Sequence, residues 1–350
     1  MPPRFLKSAL EGYQPYVPGW QPPDDEDWVK LNTNESPWPP SPAVVAAVRA
    51  AVDDSLRLYP SPLASPARAA IAKAYGVAPE MVALGNGGDE ILEMCLRAFA
   101  GAGDRVAYPA PTYPLLDALC GVHETVAARH PLNEDWSLPD AFIRDPAPLK
   151  FLVNPNSPTG TWFDRGQVQA VVGAAAGVVV LDEAYVDFAP ESRLDLLREG
   201  AGNLVILRTF SKSFALAGMR LGFAIAHPDL IQSLDVVKDS YNLDRLAIVA
   251  ATAAVTDMAY HDRLVGFVVA ERAWLAARLR DAGFEVSPSA ANFLFARPPA
   301  PANQVAEALR EHRVLVRHYD HPPIQGWFRI TVGTRDQHER LLNALEEILP

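Results

Sequence analysis

The chain has 350 residues and a net charge of −11 at neutral pH. Its length predicts a large domain and a smaller one rather than one compact unit. The acidic balance, without clustered Lys and Arg, argues against nucleic acid as a main partner.

The number of cysteines and the length of the apolar segments indicate in which cellular compartment the protein is expected. The sequence has two cysteines, Cys95, in an apolar helical segment, and Cys120, so we expect no disulfide framework and a reducing compartment. The first ten residues contain no long apolar stretch, and no later segment is apolar for the roughly 18 residues that a membrane helix needs. We therefore expect a soluble, cytoplasmic protein without a signal peptide.

Prolines are dense in the first forty residues, for example Pro15, Pro18, Pro22 and Pro23. They disfavour regular helix and predict an extended arm, residues 1–30, that lies over the body of the protein. Strand and helix patterns alternate from Met81 onward. The predicted buried strands are 81–85, 105–109, 150–154, 178–182, 203–209 and 221–226, with helices at 89–100 and 164–174 among those between them.

Nearly continuous apolar strands such as 178–182 are typical of a parallel sheet covered on both faces. We therefore predict an α/β large domain, residues 31–245, with a mostly parallel central sheet. Further on the pattern changes to long helices, including 261–283, and then to a strand, helix, strand, strand, helix order. This tail predicts a smaller α+β domain, residues 246–350, with strands near 292–296, 314–317 and 327–332.

Lys212 is the main candidate for catalysis. It follows the predicted strand 203–209 directly, so it lies at the carboxyl end of a strand, where α/β sheets place ligands. An ordinary lysine has a pKa of about 10.4, and capture of an aldehyde needs a site that lowers it. A surface lysine is the alternative interpretation.

Asp182 and Tyr185 follow the preceding predicted strand. A carboxylate can hold a pyridine nitrogen protonated, and a tyrosine can hydrogen-bond a phenolic oxygen, as the ring of pyridoxal 5'-phosphate requires. The alternatives are a helix cap or solvated turn for Asp182 and a core position for Tyr185. Together with Lys212, these residues predict pyridoxal 5'-phosphate as the cofactor.

The cofactor phosphate also has candidate ligands. Segment 85–90 joins a strand to a helix and is rich in glycine, so its backbone N–H groups can approach an oxyanion at a helix N-terminus. Arg220 offers a guanidinium fork and Ser211 a hydroxyl, although Arg220 can equally form a surface ion pair. Tyr113 can stack on a planar ring or pack in the core.

Other chemistries fit the sequence less well. His318 and His321 lie beside Pro322 and Pro323 in a predicted loop, without further ligands at a zinc-like spacing, so we predict no metal site. The sequence contains neither a Gly-x-Ser-x-Gly elbow nor a Walker A motif.

Together these segments resemble the fold type I pyridoxal phosphate aminotransferases, and within them the histidinol-phosphate aminotransferase branch. The resemblance extends over nearly the whole chain, and segment 209–222 is its most specific part. The other matching segments are 15–19, 31–37, 59–60, 85–92, 154–160, 181–188 and 328–333.

The resemblance implies a role for individual residues. Lys212 is the implied Schiff-base lysine, with Asp182 and Tyr185 on the ring. Tyr113 stacks on that ring. The implied phosphate ligands are Gly88, Asp89, Ser211, Arg220 and, from a neighbouring subunit, Tyr59, so the resemblance implies a homodimer with shared active sites. The implied substrate ligands are Arg329, for an α-carboxylate, and Tyr16 and Arg317, for which arm packing and a strand-edge ion pair remain alternatives.

The chain departs from the family pattern in three places. Ser157 stands where Asn usually precedes Pro-Thr-Gly, so the contact to the cofactor's O3′ oxygen shifts to Asn156 or weakens. Trp38-Pro39-Pro40 replaces a more usual Tyr-Gly-Pro, and Leu243-Asp244 replaces Val-Asn. The last two departures lie near the expected substrate entrance and bear on substrate identity.

The resemblance implies transamination of small molecules, with histidinol phosphate as amino donor and 2-oxoglutarate as oxo acceptor, and no membrane partner. One cationic pocket with Arg329 then receives both a carboxylate and a phosphate. Three alternatives stay open: an aminotransferase for free aromatic or other amino acids, a decarboxylase of a phosphorylated amino acid, and a non-catalytic cofactor-binding sensor. For a sensor, the chain has neither spare length nor a basic patch for a DNA-binding domain.

Overall fold

The computed structural model describes residues 5–6, 10, 19–23 and 25–349. Two sheets, one of seven strands and one of five, organise this part of the chain. The strands are β1 (Val29–Leu31), β2 (Val82–Gly85), β3 (Arg105–Ala110), β4 (Val126–Pro131), β5 (Leu149–Val153), β6 (Val178–Asp182), β7 (Leu204–Thr209), β8 (Gly222–Ala226), β9 (Glu285–Val286), β10 (Phe293–Arg297), β11 (Val314–Tyr319) and β12 (Trp327–Thr331).

Helices connect and cover these strands. They are α1 (Pro42–Ala50), α2 (Ser65–Tyr75), α3 (Gly88–Phe99), α4 (Leu115–Val122), α5 (Asp140–Ile143), α6 (Arg165–Ala174), α7 (Leu194–Arg198), α8 (Pro228–Val237), α9 (Arg245–Thr256), α10 (Met258–Asp281), α11 (Ala302–Glu311) and α12 (Arg335–Ile348). None of these described helices combines the length and the apolar character that crossing a bilayer requires.

The seven-stranded sheet has the order β2-β8-β7-β6-β5-β3-β4. The pairs from β4 through β7 are parallel, and β8 runs antiparallel to both of its neighbours. Because parallel strands end at the same edge, the carboxyl ends of β5, β6 and β7 lie side by side. The predicted α/β class with a mostly parallel sheet is confirmed.

Burial on both faces explains the continuous apolar strands. In β6, Val179 and Leu181 belong to the core under α1, α2 and α9, whereas Val180 belongs to the core under α3, α4 and α8. Side chains alternate between the faces of a strand, so a sheet covered by helices on both sides needs apolar residues at every position. Polar side chains are thereby left to the strand ends.

The five-stranded sheet has the order β1-β11-β12-β10-β9 and forms the smaller unit. β1 pairs in parallel with β11, and the other pairs are antiparallel. Residues of α10, α11 and α12 fill its core. The predicted tail of three strands and two helices is present, preceded by the short strand β9. The domain limits at residues 30 and 245 stay a prediction.

Three local predictions differ from the structure. β1 and the edge strand β4 were not predicted, because β1 has only three residues and β4 is interrupted by Arg129 and His130. His318 lies in strand β11 rather than in a loop, and its ring packs edge-on against Phe328. The strand continues through Arg317, His318 and Tyr319 because each of them pairs with a residue of β12.

Candidate active site

A cavity of about 360 Å³ lies at the carboxyl edge of the large sheet, facing the smaller sheet. β6 and β7 end at the cavity, and α3 begins beside it. Strands β11 and β12 of the smaller sheet each place one arginine side chain in its wall. Most of the residues predicted for the site line this cavity. They are Gly88, Asp89, Tyr113, Asp182, Tyr185, Ser211, Lys212, Arg220, Arg317 and Arg329.

Lys212 enters the cavity from the turn after β7. Burial, followed by the nearby positive charge of Arg329, lowers the pKa of its amine to about 8, while Glu35 opposes this shift. Its Nζ atom lies 5.8 Å from the centre of the Tyr185 ring. Near neutral pH the uncharged fraction of this amine is therefore much larger than for an ordinary lysine, and the uncharged form is the one that attacks an aldehyde.

Asp182 is the last residue of β6 and is buried. Its Oδ1 atom accepts a hydrogen bond from the Ala184 N–H at 2.9 Å. Burial, with added repulsion from Asp89 and Glu183, raises the pKa of this carboxyl to about 7. Within the described residues no Lys, Arg or His forms an ion pair with it. A buried carboxylate that lacks a cation and faces a cavity fits the protonated nitrogen of a pyridine ring.

Tyr185 presents its hydroxyl to the same cavity. Asn34 Nδ2 donates to Tyr185 Oη at 3.0 Å, and Thr331 Oγ1 in turn bonds Asn34 Oδ1 at 3.1 Å and accepts from the Asn34 N–H. The Tyr185 ring also packs edge-on against Phe293 of β10. Tyr185 follows strand β6 of the large sheet, but the contacts that fix its hydroxyl and ring come from residues in or beside the smaller sheet. Asn34 lies in the matching segment 31–37, but its sequence context alone did not predict this contact.

The phosphate cradle is built from backbone. Gly87, with φ of 88°, precedes α3, and Gly88 is the first residue of that helix. A Cβ atom on Gly222 of β8 would lie 2.6 Å from both Gly87 C and Gly88 N. Gly88 and Asp89 line the cavity, so the N-terminus of α3, whose first N–H groups have no partner within the helix, faces it and suits an anion.

Asp89 connects two other predicted ligands. Its carboxylate accepts from Arg220 Nη2 at 3.1 Å and from Tyr113 Oη at 3.1 Å. A carboxylate repels phosphate, so Asp89 suits an anion through its backbone N–H, and its side chain orients Arg220 and Tyr113. Below it, Thr209 Oγ1 donates to Ser211 Oγ at 3.1 Å. Thr209 also lines the cavity and was not among the predicted residues.

Asn156 and Ser157 have separate surroundings. Asn156 is fully buried and does not line the cavity. Its amide donates to Pro111 O and Thr159 Oγ1 and accepts from Thr112 Oγ1. Ser157 does line the cavity, and its Oγ accepts from Arg329 Nη1 at 3.2 Å. The Asn156 side chain is held in the loop, so Ser157 is the residue of this pair that the structure brings to the site.

Two arginines face the cavity from the smaller sheet. Arg317 of β11 and Arg329 of β12 are directly opposite each other in the antiparallel register. Side chains opposite each other in a strand pair lie on the same face of the sheet. Arg329 is held by Ser157 and by the carbonyl of Asn32, which accepts from Nη2 at 3.0 Å. Two guanidinium groups therefore give this end of the cavity its positive charge.

Two predicted residues lie elsewhere. Tyr59 is 80% exposed, does not line the cavity of its own chain, and stacks on Tyr241 with ring centres 4.6 Å apart. Tyr16 lies outside the described residues. At the predicted entrance, Trp38 packs against Phe267, and Asp244 caps α9 by accepting from the Ala247 N–H.

Known proteins share this architecture. The histidinol-phosphate aminotransferases of Syntrophotalea carbinolica and Geotalea uraniireducens are 44% identical over 334 residues and 42% identical over 344 residues. These matches cover 95% and 98% of this chain and 96% and 99% of those proteins. The crystal structure of histidinol-phosphate aminotransferase from Sinorhizobium meliloti in complex with pyridoxal-5'-phosphate has a TM-score of 0.86 and 28% identity, with coverage of 91% of this chain and 90% of that chain.

A family model described as aminotransferase class I and II matches residues 26–345. This match includes both sheets and every described residue that lines the cavity from Asn32 to Arg329. The predicted resemblance is confirmed, and the chain belongs to the family of class I and II aminotransferases.

Proposed function

We propose that this aminotransferase transfers the amino group of histidinol phosphate to 2-oxoglutarate, with pyridoxal 5'-phosphate held by Lys212. One observation carries the proposal: nearly full-length relatives at 44% and 42% identity are histidinol-phosphate aminotransferases. When bound, pyridoxal phosphate supplies an aldehyde for amines and a ring that withdraws electrons from the substrate carbon. The chain's own residues supply the remaining chemistry.

Lys212 and Asp182 hold protons at two positions. The lowered pKa of Lys212, about 8, suits an amine that takes a proton from the substrate carbon and returns it. Asp182 is buried with a raised pKa of about 7 and has no cationic partner within the described residues. A protonated ring nitrogen would therefore give the Asp182 carboxylate the positively charged partner that it otherwise lacks among the described residues. Tyr185, fixed by Asn34, offers its hydroxyl to the ring's O3′ oxygen, and Ser157 is a second candidate there.

The substrates share an anionic end. Glutamate has an α-carboxylate and histidinol phosphate has a phosphate, and both are recognised well by guanidinium forks. Arg329 and Arg317 lie opposite each other and both line the cavity. We propose that this pair receives either anion, so that each half-reaction uses the same pocket.

We also propose a cytoplasmic homodimer with shared sites. Tyr59 is exposed, and so are its chain neighbours Leu56, Leu58 and Leu63 and the Tyr241 ring on which it stacks. Exposed apolar residues grouped in this way are typical of protein interfaces. In the dimer, Tyr59 reaches the cofactor phosphate of the neighbouring subunit. Both cysteines are buried and free, which suits a reducing compartment.

The proposal is tested with purified, cofactor-loaded protein and two donors. Transfer from histidinol phosphate to 2-oxoglutarate, with a kcat/KM well above that for phenylalanine, is the expected result. A preference for phenylalanine would assign the chain to the free amino acid enzymes instead. Carbon dioxide release without net amino transfer would indicate a decarboxylase, and absent turnover with intact cofactor would indicate a sensor.

A further inference from the structure

A buried group of four residues lies directly behind the turn that carries Lys212. Its centre is Asp187, in the short helical turn after Tyr185. Ser213 Oγ donates to Asp187 Oδ2 at 2.5 Å, Arg208 of β7 pairs with Asp187 Oδ1, and His261 Nε2 of α10 lies 3.3 Å from Oδ2. We call Asp187, Arg208, Ser213 and His261 the Asp187 cluster.

Opposite charges meet in this cluster. Burial alone would raise the pKa of Asp187, but Arg208 and His261 hold it well below the usual range. Burial opposes the charge of His261, yet Asp187 and Asp262, whose Oδ1 atom lies 2.9 Å from His261 Nδ1, raise its pKa overall. Arg208 also pairs with Glu183 Oε2 at 3.1 Å. Arg208 thus joins two carboxylates in a mostly buried network, where paired polar groups are held in rigid positions.

Ser213 connects this cluster to Lys212 through a single peptide bond. On the other side of Lys212, the Ser211 N–H donates to Thr209 Oγ1 at 3.1 Å. The Lys212 carbonyl itself accepts from the Ala215 N–H at 3.2 Å. The backbone of Lys212 is thus held before, at and after the residue, and the Ser213 hydroxyl is the attachment that reaches a charged, buried partner.

We propose that Asp187 and Ser213 are positioning residues that fix the backbone of Lys212, and with it the place of the reactive amine. The inference rests on the proposed function, because it requires Lys212 to be the amine that holds the cofactor. A lysine amine is at the end of a flexible four-carbon chain. Its place in the cavity therefore depends on how firmly the backbone from which it extends is held.

The comparison that isolates this role uses two serines. Ser213→Ala removes a hydroxyl that bonds a buried carboxylate beside Lys212. Ser192→Ala removes one that bonds the buried carboxylate of Glu183 at 2.6 Å, in the same network but outside the lysine turn. Ser192→Ala also removes an acceptor of the Leu194 N–H, so a loss of stability alone affects both variants and does not single out Ser213→Ala. Ser213→Thr keeps the hydroxyl and is the rescue variant.

Two readouts are measured on cofactor-loaded protein: the pH midpoint of the visible absorbance, and kcat and KM. A looser turn lets the lysine nitrogen reach water, so we expect the Ser213→Ala midpoint to rise by roughly 0.5 pH unit or more. We expect kcat to fall about tenfold with little change in KM, because misplacement of a reacting group lowers the rate of the chemical step. Ser192→Ala and Ser213→Thr should stay near the wild type in both readouts.

An unchanged midpoint in Ser213→Ala, or an equal shift in Ser192→Ala, would overturn the positioning role and leave the proposed function intact. A wild-type protein without a covalent adduct on Lys212 after borohydride reduction would overturn both. If Ser213→Ala does not fold, Ser213→Cys replaces it, because a thiol keeps the volume but donates a weaker hydrogen bond. The same midpoint shift is expected for it, and its absence counts against the role in the same way.

Discussion

Asp182 and Lys212 line one cavity from neighbouring strands, and burial shifts their pKa values towards each other. The pKa of the Asp182 carboxyl is raised to about 7, and the pKa of the Lys212 amine is lowered to about 8. Burial disfavours the charged form of either group, so it raises the pKa of a carboxyl and lowers the pKa of an amine. Both groups therefore change protonation near neutral pH, and each can be tested separately.

We expect Lys212 to react with pyridoxal phosphate in cofactor-free protein with a pH midpoint near 8. Arg329→Met should raise this midpoint, because the Arg329 guanidinium disfavours a second positive charge nearby. The rate of absorbance change on mixing, measured against pH, reports the midpoint. Arg340→Met, at an exposed arginine paired with Asp27, is the control and should leave it unchanged. A midpoint that falls in Arg329→Met would contradict the assigned cause.

Asp182→Asn should change the pH dependence of stability in cofactor-free protein. The folded pKa of about 7 lies above the ordinary aspartate pKa of about 3.9, so between these values the folded state binds more protons than the unfolded state. The contribution of Asp182 to the free energy of unfolding therefore decreases as pH rises through this interval. Relative to the wild type, the free energy of unfolding of Asp182→Asn should increase from pH 5 to pH 8 by on the order of a few kcal/mol, and the difference in Tm between the two proteins measures this trend.

Asp53 provides the control for that experiment. Its carboxylate accepts a hydrogen bond from the Ser55 N–H at 2.7 Å, and hydrogen bonds from Ser55 lower its pKa below the ordinary value. The contribution of this carboxylate to stability is present above the unfolded pKa of about 3.9 and is lost only as pH falls below it. The Tm difference of Asp53→Asn should therefore stay constant from pH 5 to pH 8. A parallel trend in the two variants would contradict the assignment for Asp182.

Arg329→Ala should impair both half-reactions. The guanidinium lines the cavity and is held by Ser157 and the Asn32 carbonyl, and we propose that it binds the carboxylate of glutamate and the phosphate of histidinol phosphate alike. Loss of charged hydrogen bonds to an anion corresponds to a fall in kcat/KM of about 100-fold. Single-turnover absorbance measurements with each donor check this. Impairment with only one donor would show that the two anions bind at separate places.

Gly222→Ala should weaken cofactor binding without touching a side chain of the site. Its Cβ would lie 2.6 Å from Gly87 C and Gly88 N, so the cradle at the start of α3 must move. We expect the Kd for pyridoxal phosphate to rise about tenfold, and fluorescence titration measures it. Gly173→Ala is the control, because nothing lies within 4 Å of a Cβ there. Equal affinities in the two variants would argue against a backbone cradle.

The strands of the large sheet could be predicted from sequence because burial on both faces makes them continuously apolar. Strand 178–182 was predicted with the limits that β6 has, and the other predicted strands of this sheet differ at their ends by one residue, whereas the edge strand β4 was missed. β1 could not be found in this way. Its three residues carry too little pattern, and their pairing with Val314 to Val316 joins parts of the chain that are far apart in sequence.

Some residues of the site could likewise be predicted from the sequence, and others could not. Lys212, Asp182 and Arg220 could be predicted because each follows or precedes a strand, and the carboxyl edge of a parallel sheet collects such residues. Asn34 and Ser157 could not be assigned roles. The first acts through Tyr185, the second through Arg329, and both contacts bridge elements that are more than a hundred residues apart. For Asn156, a loop hydrogen bond from Thr112 decided where the amide points.

The sequence by itself determined the α/β class, the family and most of the residues at the cavity, because strand patterning and residue order along each strand are local properties. Only the tertiary structure decided which groups ionise near neutral pH and which are held in place. Those properties depend on burial and on partners such as Arg329 for Lys212, or Asp187 for Ser213, that come from distant parts of the chain. Electrostatic and hydrogen-bond energies depend on distance in space, which local sequence patterns do not encode.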